Sequence, residues 1–204
     1  MTNKLQLIVE GDGDMKAVPV LVRRILEYHN IFDVVPSSDV HKRGDIPKVK
    51  GRFSDYFQAA TFENNPVLCI LDFDCEKCFD VETEESVFRG LADRIRPGYP
   101  FAACFIVKEF ESLFLWDEAT VKKVLPNRQQ KYIFPVDPET IRGAKEELTR
   151  GQTSGWSYKP TVHQAKLAGQ INLDLLKEKS PSYRRLEASV LSMAKTFSNA
   201  PQKE

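Results

Sequence analysis

Short apolar runs alternate with amphipathic segments through the first 117 residues of this 204-residue chain. The run Val67–Leu71 is continuously apolar, which is typical of a strand buried on both faces of a parallel sheet. Three more runs are strand-like: Leu5–Val9, Ile31–Val35 and Phe101–Val107. Three segments show helical spacing of apolar residues: Met15–Tyr28, Val49–Phe62 and Glu84–Ile95. The alternation predicts a three-layer, Rossmann-like α/β domain with helices on both faces of a mainly parallel sheet.

The rest of the chain has a different character. No strong strand signal follows Val107, whereas Pro138–Thr149 and Ser182–Phe197 have helical patterns separated by a loop-like stretch at Gly151–Pro160. We therefore expect residues 1–125 to form the core and residues 126–204 to form a mostly helical, basic extension packed on it. Within the first part, Pro36–Pro47 is predicted to be a polar loop.

The content and distribution of apolar residues bear on the cellular location of the protein. Its hydrophobic fraction of 42% suits a domain with a buried core. No run of 18 apolar residues occurs, so no membrane span is predicted. Residues Met1 to Gln6 lack the charged-then-apolar pattern of a signal peptide. These features predict a cytoplasmic protein.

The four cysteines fall into two groups. Cys69 and Cys104 lie in apolar runs and are predicted to be core residues. Cys75 and Cys78 form a lone Cys-x-x-Cys pair, and no second pair is present to complete a structural zinc site. A zinc site and a redox pair remain the two functional alternatives for this motif.

Charge is divided unevenly along a chain whose net charge is zero. Residues 1–117 carry fourteen basic and twenty acidic side chains. Residues 118–204 carry fifteen basic and nine acidic side chains. An acidic half can concentrate cations and a basic half can attract phosphates. The alternative is that the imbalance reflects chance and solvated faces.

Acidic residues follow three of the strand-like runs. Glu10 follows the first run, Asp72 and Asp74 follow the third, and Glu109 and Glu111 follow the last. Ligands of parallel α/β sheets bind at the carboxyl ends of the strands, where these residues would meet. Carboxylate oxygens suit Mg²⁺ or Mn²⁺, and a bound cation relieves the repulsion of crowded carboxylates. Each residue taken alone could equally be a turn or helix-capping residue, and Asp12 and Asp14 especially so.

The combination of motifs resembles a known domain. Val9-Glu10-Gly11-Asp12-Gly13-Asp14 followed by Leu71-Asp72-Phe73-Asp74 is similar to the TOPRIM domain of topoisomerases, bacterial primases and OLD-type nucleases. The resemblance implies that Glu10, Asp72 and Asp74, together with Asp14, bind Mg²⁺ for phosphodiester chemistry.

A narrower resemblance covers nearly the whole chain. The stretch from Lys108 to Asp117, with Glu109 and Glu111, looks like the Glu-x-Glu segment of a compact TOPRIM-like family of unknown function. Tyr158-Lys159-Pro160 and the segment from Ser180 to Arg185 resemble its C-terminal signatures. The family is often encoded beside ATPases in prokaryotic defence loci. This chain has no P-loop, so an ATPase partner would be a separate protein.

Three functions follow from these observations. The leading hypothesis is a Mg²⁺-dependent nuclease, in which Glu109 or Glu111 holds a second ion or acts as general base. Lys159, Arg184 and Arg185 would contact nucleic-acid phosphates, unless they are simply solvated. The first rival is a non-catalytic nucleic-acid-binding or regulatory partner of an ATPase. The second is a hydrolase of small phosphorylated substrates that uses the same ions.

Overall fold

Four parallel strands form the centre of the protein in a computed structural model that describes residues 3–75, 78–125, 129, 131–153 and 155–198. Their order across the sheet is β2-β1-β3-β4, and every neighbouring pair is parallel. The strands are β1 (Asn3–Val9), β2 (Val34–Lys42), β3 (Val67–Phe73) and β4 (Phe101–Val107).

Ten α-helices connect and follow the strands within the described residues. They are α1 (Asp14–Tyr28), α2 (Ile46–Gly51), α3 (Phe53–Ala60), α4 (Val81–Ile95), α5 (Ser112–Leu115), α6 (Glu118–Val124), α7 (Ala144–Arg150), α8 (Pro160–Ala168), α9 (Leu173–Lys179) and α10 (Pro181–Ser198). A short 3₁₀ helix, Pro138–Thr140, precedes α7.

Side chains alternate between two apolar cores, one on each face of the sheet. In β3, Leu68 and Ile70 face the core covered by α1 and α10, whereas Cys69 and Leu71 face the core covered by α3 and α4. Both cores contain fully buried aromatic side chains. The helix–sheet–helix arrangement confirms the predicted three-layer α/β fold with a parallel sheet.

The second strand differs from the sequence prediction. Ile31–Val35 was expected to be the strand and Pro36–Pro47 a loop, but β2 runs from Val34 to Lys42. β2 is an edge strand, so one side of its backbone needs no partner, and Pro36 and the polar residues after it are tolerated there. Burial along β2 is interrupted at Ser38 and Asp39, so this strand contains no continuous apolar run.

Several helices are shorter or more numerous than predicted. The segment Val49–Phe62 is not one helix, because α2 ends at Gly51 and α3 begins at Phe53. Glycine is a poor helix former, which explains the interruption. Pro138–Thr149 is likewise a 3₁₀ turn and then α7, separated by Gly143 at a φ of +80°. Helices α5, α6, α8 and α9 were not predicted.

The C-terminal helices pack against the sheet and its first helix. Helix α8 lies against α1, and α10 lies against β4. The predicted boundary between residues 125 and 126 adjoins residues 126–128, which lie outside the described residues, so the division into two parts stays a prediction. In the described part of the chain, no helix combines the length and the apolar character needed to cross a bilayer.

Candidate functional site

Glu10 and Asp72 meet at the carboxyl edge of the sheet. Glu10 directly follows β1, and Asp72 lies near the end of the neighbouring strand β3. The backbone N–H of Asp72 donates a hydrogen bond to Glu10 Oε2 at 3.2 Å. Both side chains, together with Asp74, line a cavity of about 550 Å³ that Asp45, Ile46 and Pro47 also line. The parallel sheet therefore brings together acidic residues that are about 60 positions apart in sequence.

Asp14 joins this group from the start of α1. Its Oδ2 accepts a hydrogen bond from the N–H of Gly11 at 2.8 Å, which closes the turn between β1 and α1. Its Oδ1 accepts from the side-chain amide of Gln164 in α8 at 2.7 Å. Asp14 thus has the turn role foreseen as an alternative, and it also faces the other carboxylates.

Glu109 and Glu111 enter the site from the turn after β4. Lys108 adopts a left-handed backbone conformation, with a φ of +67°, and turns the chain out of the strand. Glu109 Oε2 then accepts a hydrogen bond from the N–H of Lys145 at 3.1 Å. Glu111 is fully buried, and the hydroxyl of Tyr158 donates to its Oε1 at 3.2 Å.

Lys145 in α7 is the cation that the fold brings to these carboxylates. Its Nζ lies 3.8 Å from Asp72 Oδ2 and 3.6 Å from Glu111 Oε2. Burial disfavours its charged form, but the carboxylates of Glu111 and Asp72 outweigh that effect and raise the pKa of Lys145. The ammonium is therefore held charged at the centre of the acidic group.

Asp74 lies at the more exposed rim of the cavity. Nε of Arg142 lies 3.2 Å from Asp74 Oδ1. Cys75, the next residue, also lines the cavity and is joined to Cys78 by a disulfide. The Cys-x-x-Cys pair is thus closed on itself and lies beside the candidate site.

Burial and mutual repulsion raise the pKa values of the inner carboxylates. Burial raises the pKa of Glu10, Asp14 and Asp72, and for Asp72 the neighbouring charges of Glu10 and Asp14 raise it further. Burial raises the pKa of Glu111 to about 7, although the charge of Lys145 opposes this. Perturbed pKa values in a cavity are characteristic of functional sites.

The donor set fits a hard divalent cation. In the part of the chain that the structure describes, no three metal-ligating side chains converge as a ready-made site. Mg²⁺ does not require one, because it usually takes one or two carboxylates directly and keeps several waters. Glu10, Asp72 and Asp74 offer carboxylate oxygens to one cavity. The buried Oε2 of Glu111 accepts no hydrogen bond from a described residue.

Among the three basic residues proposed to contact phosphates, Lys159 is the one whose chain neighbours reach the acidic group, because Tyr158 contacts Glu111 and Pro160 lines a cavity with Asp14 and Lys145. Lys159 is exposed just before α8, and among the described residues its ammonium makes no salt bridge. Arg184 donates hydrogen bonds to the carbonyl oxygens of Lys177 and Glu178, at the end of α9. Arg185 donates to Ser182 Oγ. Phosphate contact by these residues stays a prediction.

Sequence reasoning did not identify Lys145, Arg142 or Gln164. Lys145 is followed by two glutamates in a short charged helix, a pattern that normally indicates a solvated face. Tyr158 was noticed only as part of a signature segment, without a role. No local pattern distinguishes these residues, because their positions depend on how the C-terminal helices pack.

The pKa of Glu111 predicts how stability depends on pH. Between its ordinary value of 4.5 and about 7, the folded state holds more protons on Glu111 than the unfolded chain. Stability is therefore lost as pH rises through that window, by on the order of 2–3 kcal/mol. In EDTA, the melting temperature is expected to fall by roughly 5–10 °C between pH 5 and pH 8.

The variant Glu111→Gln isolates this contribution, because a glutamine oxygen can still accept the hydrogen bond of Tyr158. The melting temperature of this variant is expected to fall less than that of the parent between pH 5 and pH 8. The matched control is Glu118→Gln, which removes the same charge from an exposed position on α6. Equal pH dependence in Glu111→Gln and the parent protein would contradict the assignment.

Comparisons with known proteins agree with this architecture. A family model described as "Domain of unknown function (DUF4276)" matches residues 9–191. Among solved structures, the chain is similar to the C-terminal region of the OLD protein of Xanthomonas campestris pv. campestris, in crystals phased with platinum and with iodine. The TM-scores are 0.51 and 0.50, and the sequence identity is 14% in both cases. Both alignments cover 97% of this chain. They cover 94% of the OLD chain in the platinum-phased structure and 97% of it in the iodine-phased structure.

The C-terminal region of the Burkholderia pseudomallei OLD protein matches with a TM-score of 0.47 and 11% identity, over 96% of this chain and 98% of the other. A comparison with curated proteins finds no match. At these identities the Xanthomonas structures show a shared fold.

Proposed function

The chain belongs to the DUF4276 family, and we propose that it is a divalent-metal-dependent phosphodiesterase that cleaves nucleic acid through a TOPRIM-like site. One observation carries the proposal. At one edge of the sheet, Glu10 after β1 accepts a hydrogen bond from Asp72 of β3, and Lys145 Nζ lies within 4 Å of both Asp72 and Glu111, which follows β4. The fold shared with the OLD C-terminal region supports the TOPRIM-like part of the proposal.

Glu10, Asp72 and Asp74 are the residues that would hold the ion, since they line the same cavity. When bound, Mg²⁺ or Mn²⁺ supplies a Lewis acid that neutralises the charge developing on the phosphoryl oxygens. Asp14 would hold the turn that places Glu10, through its hydrogen bond to Gly11.

Glu111 and Lys145 would supply the remaining chemistry. With a pKa of about 7, Glu111 exchanges a proton near neutral pH and can act as general base for an attacking water. Lys145 can contact a non-bridging phosphate oxygen, because its charge is maintained by the carboxylates. Glu109 positions Lys145 by accepting the hydrogen bond of its backbone N–H.

A second candidate is favoured by Lys145 itself. Its ammonium already lies within 4 Å of Asp72 and Glu111, so it partly neutralises the acidic group without any metal. Such a site could serve a non-catalytic nucleic-acid-binding or regulatory partner of a separate ATPase. Catalysis distinguishes this candidate from the phosphodiesterase.

The test is a cleavage assay with the full chain. Purified protein is incubated with plasmid, linear DNA and single-stranded RNA in Mg²⁺, in Mn²⁺ or in EDTA. We expect phosphodiester cleavage in the presence of metal and none in EDTA. The three substrates also report whether DNA or RNA is the target.

Two results would count against the enzyme. Cleavage that persists in EDTA would indicate a contaminant or a metal-independent reaction. Binding of nucleic acid without cleavage in either metal would favour the regulatory candidate. The variant Glu10→Gln serves as the inactive control, because it keeps the shape of the side chain and removes its charge.

A further inference from the structure

The segment that contributes Asp45, Ile46 and Pro47 to the cavity lining is rich in basic residues. Between His41 and Arg52 the chain carries five lysine or arginine residues and a single carboxylate. We name these five residues the basic rim: Lys42, Arg43, Lys48, Lys50 and Arg52. These basic residues lie within residues 1–117, the part of the chain with an excess of acidic side chains. From the sequence, only cation-binding groups were predicted there.

Backbone hydrogen bonds attach the basic rim to the candidate site. The N–H of Arg43 donates to the carbonyl oxygen of Val9 at 2.9 Å, and the N–H of Gly44 donates to that of Glu10 at 3.1 Å. Asp45, the next residue, lines the cavity. The start of the rim is therefore fixed relative to the Glu10 carboxylate.

Lys48 is held over this attachment point. Gly44 has a φ of +90°, and a Cβ built there would lie 2.8 Å from Cδ and 3.5 Å from Nζ of Lys48. The aliphatic part of Lys48 thus packs on Gly44, which immediately precedes Asp45 of the cavity lining. In a lysine that extended freely into solvent, the ammonium would not lie so close to the backbone.

The rim also holds like charges near one another. The guanidinium groups of Arg43 and Arg52 lie over the same ring, that of Tyr56, at 5.1 Å and 5.3 Å from its centre. Within the described ranges, neither Arg43 nor Lys48 forms a salt bridge with a carboxylate. The other three residues of the rim form salt bridges: Lys42 with Asp12, Lys50 with Glu84, and Arg52 with Asp55. Positive charge gathered in this way is suited to an anionic ligand.

A polyanionic substrate needs such a surface. The carboxylates of the cavity repel a nucleic-acid strand, so attraction must come from cations beside them. Phosphate contacts by lysine and arginine supply most non-specific affinity for nucleic acid and set the position of the strand. We propose that the basic rim binds the phosphodiester backbone and holds the strand beside the carboxylates. The inference rests on the proposed function and names the substrate-binding surface for it.

The test measures binding separately from cleavage. The double variant Lys48→Ala/Arg52→Ala is titrated against a fluorescein-labelled duplex in EDTA, and binding is followed by anisotropy at several salt concentrations. The affinity falls as salt rises, so the slope of log K against log salt is negative. Loss of two phosphate contacts is expected to reduce the magnitude of this slope by about two. The charge-preserving variant Lys48→Arg/Arg52→Lys is expected to keep the parental slope, and melting curves report whether each variant is folded.

The matched control removes two charges elsewhere. Lys123 on α6 and Lys195 on α10 are both exposed. Lys195 lies ten residues beyond Arg185, which contacts β4, so it is about 15 Å further along the helix. Lys123→Ala/Lys195→Ala is expected to leave the slope unchanged.

The failure of this inference differs from the failure of the proposed function. If the parent cleaves nucleic acid in a metal-dependent way but the rim variant keeps the parental slope, the rim is not the phosphate-binding surface. Equal losses in the rim variant and the control would also overturn the inference. If the parent neither binds nor cleaves nucleic acid, the proposed function itself fails, and this inference fails with it.

Discussion

Replacement of Asp72 by asparagine is expected to lower the rate of metal-dependent cleavage by on the order of 10³-fold. The substitution removes a charge that would hold the cation. An amide oxygen can still accept the hydrogen bond that Phe110 N–H donates to Asp72 Oδ1 at 2.8 Å. The turn after β4 is therefore expected to stay in place while the metal affinity falls. Initial rates over a range of Mn²⁺ concentrations measure both effects.

Melting curves give an independent measurement on the same variant. Mn²⁺ at one hundred times its Kd stabilises the parent by about 2.7 kcal/mol, and Asp72→Asn is expected to lose this increment. In EDTA at pH 8 the variant is expected to melt above the parent, because one carboxylate with a raised pKa has gone. Asp33→Asn is the control, since Asp33 precedes β2 and lies at the opposite edge of the sheet. Parental cleavage and parental Mn²⁺ shifts in Asp72→Asn would exclude Asp72 as a ligand.

Replacement of Lys145 by glutamine is expected to have the next largest effect, a fall in cleavage of about 10²-fold. The variant loses the charge that lies between Asp72 and Glu111. Its backbone N–H still donates to Glu109, so α7 keeps that attachment. Rates are measured at saturating metal, so that the loss reflects the missing ammonium.

The stability of Lys145→Gln is expected to depend on pH more steeply than that of the parent. The charge of Lys145 lowers the pKa of Glu111 and Asp72, so its removal raises both values further. Stability is then lost over a wider range as pH rises, and the deficit relative to the parent is larger at pH 8.5 than at pH 5.5. The control Lys4→Gln changes an exposed lysine at the start of β1. A deficit that is equal at both pH values would contradict this account.

The central fold could be predicted because buried parallel strands have an unmistakable composition. Val67–Leu71 is apolar at every position, and in the structure it lies within β3, covered on both faces. The edge strand β2 could not be predicted in the same way, because its unpaired backbone edge permits Pro36 and its exposed positions permit Ser38 and Asp39. Composition reports burial, and β2 is only partly buried, whereas β4, the other edge strand, is covered by α4 and α10.

The acidic part of the candidate site could also be predicted from the sequence. A parallel sheet places the ends of all its strands at one edge, so Glu10, Asp72 and Glu111 had to be near one another once the strands were identified. The cation could not be predicted, because nothing local in α7 separates Lys145 from a solvated lysine. Its place depends on the fit of α7 against the turn after β4, which is a property of the folded chain.

Helix α10 has a consequence for how the protein is made. Leu186 and Val190 of α10 share one core with Leu5 and Leu7 of β1, so the first strand and the last helix meet across some 180 residues. At the usual speed of translation, roughly 10–40 s separate the synthesis of these partners. During that interval α1 alone cannot cover the face of the sheet that α10 will occupy against β4. The nascent chain therefore carries an open apolar surface until the ribosome releases α10, and contacts of such long sequence separation make the final closure slow.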